Sequence, residues 1–130
     1  MVTHQDTAAA EAEARAQVKN IVELVQAIKD AAANEEKEAA EQAIYEDALA
    51  VTVRSGWHTP GDKGELEEYQ ILLSTGGPAV RIVGEFGRFN DPSSGQVQYQ
   101  DWATPWTPYP LTEDEQEAVL EYARVFYYGE

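Results

Sequence analysis

A chain of 130 residues, 43% of them hydrophobic and with three Trp, seven Tyr and three Phe, has the apolar material for one packed domain, which excludes a disordered chain. Its 24 acidic and 9 basic residues give a formal net charge of −15, which weighs against direct contact with nucleic acid or anionic lipid and favours basic surfaces. Cysteine is absent, and no apolar run would span a bilayer or serve as a secretory signal, so the expectation is a soluble cytoplasmic protein without disulfide or thiolate chemistry.

Residues 1–6 are expected to fray, and Thr7 is placed to cap a first helix. The Ala-rich run behind it carries Val18, Ile21, Val22, Val25 and Ile28 as one apolar stripe. That stripe is confined to the second half, so the first turns are expected to project from the body. It either packs on a core or forms a seam between two helices. Asn34 is a suitable N-cap for a second helix from Glu35 to about Ala48, with Glu35 and Glu36 in the favourable first turn. Ala39, Ala40, Ala43, Ile44 and Ala48 are its inward positions, and Glu35, Glu38, Glu41, Gln42 and Glu46 its outer surface. Like charges at this spacing cost roughly 0.2–0.5 kcal/mol a pair. Such a helix is a solvated face, or it is compensated elsewhere, or it has a use for its field.

Leu49, Val51 and Val53 alternate along a first strand, ended by turn residues in Ser55–Gly61. Glu67–Trp102 reads as a three-stranded antiparallel meander. Tyr69, Ile71 and Leu73 alternate first, then Val80 and Ile82, then Val97 and Tyr99, with turns at Thr75–Pro78 and Asn90–Gly95. Prolines at 105, 108 and 110 keep residues 103–111 extended. Thr112–Glu115 is a capping box that opens a final helix through about Tyr128, with Val119, Leu120, Ala123, Phe126 and Tyr127 as its apolar face. The architecture expected is one α+β domain over residues 1–130. A four-stranded antiparallel sheet would carry two N-terminal helices and one C-terminal helix on one face.

Little here points to chemistry. His58 sits in a turn, and a Ser-His-Asp set would have to draw on Ser55 or Ser74 and on Asp101 without any nucleophile-elbow glycines. His4, the only other histidine, lies in the tail, and no spacing of the two suggests a transition-metal site. Glu65, Glu67 and Glu68 lack the spaced oxygens and glycine of a calcium loop. Gly76 and Gly77 precede Pro78 and a strand, which is a hairpin turn and no phosphate cradle. No cofactor, metal or catalytic residue is expected. Trp57, Trp102, Trp106 and Tyr109 read as a lid on the core, or as an anchor for a protein partner. As a stacking platform for nucleic acid they lack basic neighbours, since residues 102–112 contain none.

Four segments carry a resemblance: Ser55-Gly-Trp57 with Pro60-Gly61, Ile71–Glu85, Tyr99–Thr107 and Phe126–Glu130. Together, over about residues 44–130, they resemble a group of short phage, prophage and plasmid proteins of proteobacteria. No catalytic residue is carried over from that group. What the resemblance implies is a setting among the accessory genes of mobile elements. There, small acidic proteins inhibit host defence, and some do so by imitating DNA.

Composition and resemblance together lead to the expectation of a non-enzymatic, anti-CRISPR or anti-restriction inhibitor that acts on a nucleic-acid-binding host effector. The expected protein-binding residues are Glu35, Glu36, Glu38, Glu41, Glu46 and Asp47 on the second helix and Glu113, Asp114, Glu117 and Glu121 on the last, with Trp57, Trp102 and Trp106. The alternatives are a homodimeric structural or regulatory module, joined through the N-terminal helix or the aromatic surface, and a small enzyme using His58.

Overall fold

The computed structural model describes residues 3–62, 64–101 and 104–128, with side chains from residue 8 onward. Helices α1 (Thr3–Asp30) and α2 (Asn34–Asp47) lead into strands β1 (Ala50–Ser55), β2 (Leu66–Ser74), β3 (Ala79–Glu85), β4 (Gln96–Gln100) and β5 (Thr107–Pro108). Helix α3 (Glu113–Arg124) closes the chain. The strands form one antiparallel meander in the order β1-β2-β3-β4-β5. This is the expected α+β arrangement with five strands instead of four. Thr107 and Pro108 pair with Tyr99 and Gln98. A proline is tolerated there because β5 is an edge, where its missing N–H leaves no ladder bond unmade.

Alternation in the meander places Tyr69, Ile71, Leu73, Val80, Ile82, Val97 and Tyr99 on one face, all buried. Helix α1 lies on that face over β3 and β4, and α3 over β4, while α2 packs on α1. The buried stripe of α1 runs Ala10, Ala14, Val18, Ile21 and Val25. Helix α1 is already formed at Thr3, ahead of Thr7, and its first half packs on the body where projection was expected. Alanine methyls extend the stripe backwards by allowing close approach, and Val22 is left exposed.

The N-cap of α2 is Ala33, with Asn34 already inside the helix. The capping that Asn34 was expected to supply comes from Glu36, whose Oε1 accepts from the backbone N–H of Ala32 and Ala33 at 3.1 and 3.0 Å. Of the expected inward positions of α2, only Ile44 is fully buried; Ala39 is exposed and Ala40, Ala43 and Ala48 are half-buried. Strand β1 corrects a second expectation. Leu49 and Val53 are 57% and 43% exposed, because the helical layer ends short of this edge.

Helix α3 begins as expected, with Thr112 Oγ1 accepting from Glu115 N at 3.2 Å and Glu115 Oε1 accepting from Thr112 N at 3.0 Å. It stops at Arg124, short of Tyr128. Beyond it the chain turns so that Tyr128 donates to Ala123 O and stacks with Tyr69 and Phe86. Tyr122 takes the inward place expected of Tyr127, which is exposed. Among the described residues no helix is long and apolar enough to cross a membrane.

Candidate functional site

The carboxylates of the two acidic helices divide into three kinds. On α2, Glu35, Glu36, Glu38 and Glu46 are exposed and Glu41 is half-exposed, and among the described residues none has a cation within ion-pair distance. From Glu35 to Glu46 the helix rises about 16 Å. Five carboxylates over that length leave axial gaps of about 1.5 to 7.5 Å, about 4 Å on average, against the roughly 3.4 Å spacing of charges along one DNA strand. Asp47 differs from these. It accepts from Asn20 Nδ2 at 2.8 Å and from Tyr122 Oη at 2.7 Å, so it ties α2 to α1 and α3 and is turned into the fold.

On α3, Glu113, Asp114 and Glu117 are exposed. Glu121 is exposed too, and with Glu41 of α2 it lines a groove shared with Val25, Ile28 and Val125 and with Lys29, Lys37 and Arg124. The acidic field is therefore interrupted where α2 faces α3. It is continuous on the outer surface of α2 and at the start of α3. Meanwhile the apolar stripe of α1 is used inside the chain, apart from Val22.

The aromatics separate just as sharply. Trp57 was expected in a lid over the core or as a partner anchor, and the structure leaves it fully exposed, at 105%. It stands in the connection between β1 and β2, over a cleft lined by Gly56, His58, Asp62, Gly64, Glu65 and Glu67. Gly64 has φ +75°, and a Cβ there would run into the His58 ring, so glycine is what lets the loop fold under the histidine. Trp102 lies outside the described residues. Trp106 is half-buried and stacks on the Arg81 guanidinium, 4.0 Å from ring centroid to Cζ.

Arg81 is the cation that the local sequence around Trp106 did not supply. It comes from β3, one strand beyond β4, on the sheet face that carries no helix. There Arg81 donates through Nε to Gln98 Oε1 at 2.9 Å and through Nη1 to Gln70 Oε1 at 2.7 Å. Partial burial lowers its pKa from the ordinary arginine value. Thr52, Gln70, Val83 and Gln96 complete a shallow polar cleft of about 670 Å³ on this face. At its rim Arg54 donates to Glu68 Oε1 at 3.0 Å, and this hydrogen bond raises its pKa.

Phe89 was not among the expected site residues. It lies in the β3–β4 connection, 97% exposed, with φ +60° and ψ +31°, and Asn90 beside it has φ +57°. The left-handed region costs a bulky side chain about 1–2 kcal/mol. The loop is nonetheless well tied. Gly87 N donates to Asp91 O at 2.7 Å, and Ser93 N to Glu85 O at 2.8 Å. Tyr69 Oη donates to Ser94 O, Gln116 Nε2 to Gly95 O, and Arg124 Nε to Pro92 O. Gly84 admits the Tyr69 ring, since a Cβ there would strike both Ser94 O and the phenol. Asn90 is the one sequence cue for the left-handed turn, because asparagine tolerates that region better than most.

His58 is exposed, with Nδ1 3.2 Å from Thr59 O. The sheet register puts it at the end opposite Ser74 and Asp101, so the Ser-His-Asp set that would have used them is not assembled. Glu67 and Glu68 gather around Arg54, and among the described residues no group of three His, Asp or Glu is placed to hold a metal ion. Gly76, with φ +103°, takes the tight position of the β2–β3 hairpin, as turn chemistry requires. Compared with known proteins, the chain matches no family, no curated protein and no solved structure.

Proposed function

We propose that this protein is a non-enzymatic inhibitor that binds the basic surface of a nucleic-acid-targeting host defence complex, of the anti-CRISPR or anti-restriction kind, in the bacterial cytoplasm. The observation that carries the reading is the outer surface of α2, where Glu35, Glu38 and Glu46 stand exposed with no cation within ion-pair distance among the described residues. With Glu36 and Glu41 they space charge along the helix at about 4 Å on average, of the same order as the roughly 3.4 Å rise per phosphate of one DNA strand, which suits the row to a groove built for DNA. The resemblance to proteins of mobile elements supplies the setting. Inhibition then follows from occupancy: carboxylates on a packed helix neutralise the groove lysines and arginines and leave no place for the duplex.

The test is competition. A purified CRISPR effector or restriction enzyme is titrated with the protein, and its DNA binding is followed by fluorescence anisotropy. The wild type should displace DNA, more weakly as salt rises. Reversing three charges, Glu35→Lys, Glu38→Lys and Glu46→Lys, should weaken inhibition at least tenfold without unfolding the chain. Full inhibition by the triple variant would sink the role given to α2.

A further inference from the structure

Trp57 and Phe89 stand at the same end of the sheet, since the register places the β1–β2 and β3–β4 connections beyond the paired residues Arg54, Glu68 and Glu85. Both rings are almost wholly in water, at 105% and 97% exposure. Neither is there to stabilise the fold, and Phe89 is held in a conformation that a glycine would adopt more easily. Carboxylates outnumber cations around them: Arg54 is paired with Glu67 and Glu68 and Arg124 with Asp91, and Arg88 stands beside Phe89. Asp62, Glu65 and Glu67 line the cleft under Trp57. Glu113, Asp114 and Glu117 occupy the first turns of α3, which Gln116 ties to Gly95 of the Phe89 loop.

We propose that this end of the sheet is a docking surface for a basic protein segment, with Trp57 and Phe89 as its two anchors. Charge complementarity selects the occupant. An arginine or lysine can lay its stem and its charge on an aromatic face while its head reaches a carboxylate beside it. Tryptophan is the residue that most often dominates such contacts. The Phe89 loop is preorganised by its hydrogen bonds, so the ring is presented at little further ordering cost. The proposal rests on the basic-partner reading above but puts the anchoring contact at a surface separate from α2.

The experiment uses the full chain and a synthetic peptide alternating arginine and leucine, with a glutamate-for-arginine peptide as control, by calorimetric titration at moderate salt. The wild type should bind the basic peptide and ignore the acidic one. Trp57→Ala and Phe89→Gly should each weaken binding about tenfold, Trp57→Phe much less, and the α2 triple reversal only slightly. Thermal melts should show Trp57→Ala unchanged and Phe89→Gly equal to or above wild type. Unaltered affinity in both anchor variants overturns this surface while leaving the α2 reading standing. No binding of the basic peptide by the wild type overturns this surface as well, while the α2 reading stands or falls with DNA displacement in the competition assay. Concentration-dependent dimerisation lost in Trp57→Ala, measured by sedimentation, would assign the surface to a second copy of the chain and overturn the proposal.

Discussion

Two buried phenols and a half-buried one tie the helices and the sheet, each to a different partner. Tyr69 reaches Ser94 O across Gly84, Tyr128 reaches back to Ala123 O, and Tyr122 reaches the Asp47 carboxylate. Burial raises all three above the ordinary tyrosine value of 10, and for Tyr122 the neighbouring carboxylate adds to the shift. The sign follows from where the proton goes. Above about pH 10 the unfolded chain releases these protons and the folded chain keeps them, so stability present below that pH falls as pH rises. The slope is roughly 1.4 kcal/mol per pH unit for each tyrosine. Tyr122→Phe should therefore act twice. At neutral pH it should cost about 1–3 kcal/mol in urea melts, because Asp47 loses a donor in a half-buried place. Above pH 10 its stability should fall less steeply than wild type, and identical alkaline slopes would remove Tyr122 from this account.

At the level of elements, α3 depends on its first turn. The reciprocal Thr112–Glu115 pair satisfies two backbone N–H groups that the helix leaves open, so Thr112→Ala should cost about 1 kcal/mol, visible as a fall of about 3–5 °C in Tm. This box could be read from four residues, and the meander from its alternation, because both signals are local and strong. Weaker signals misled. Ala10 and Ala14 look indifferent in a sequence, yet a methyl is what allows α1 to lie close along its whole length. Leu49 and Val53 alternate as a buried strand does, but where the helical layer stops is a tertiary fact. Asp47 reads like its acidic neighbours until Asn20 and Tyr122 are seen around it. Arg81 meets Trp106 only through pairing of β3 with β4 and of β4 with β5. Phe89 had only Asn90 to announce its turn, and nothing local tells that its ring faces water.

Over the whole molecule, apolar and charged surfaces are laid out in zones. The core lies between the sheet and the α1–α3 pair, the uninterrupted carboxylates face outward from α2 and the start of α3, and the bare aromatics stand at one end of the sheet. A net charge of −15 on one small domain repels itself, and spreading it over α2, the start of α3 and the loops keeps most like charges in high-dielectric water. The two proposed surfaces draw mainly on exposed groups, though Glu36 also caps α2 and Glu67 pairs with Arg54.

The incomplete cover over β1 has one more consequence. This strand is a sheet edge where the helical cover thins, with Val51 half-buried against the core and Leu49 and Val53 partly wetted. Local opening follows the least buried segment, so β1 should peel away before the sheet as a whole lets go. In deuterium exchange its amides should label at least about tenfold faster than those of β3, which has paired neighbours on both sides and a roof of helix. Equal labelling across the two strands would mean that the sheet opens only as one cooperative unit. With the expected gradient, this flank gives way at a small fraction of the global unfolding energy, and its frayed backbone becomes the first part of the chain offered to a protease or to a neighbouring strand.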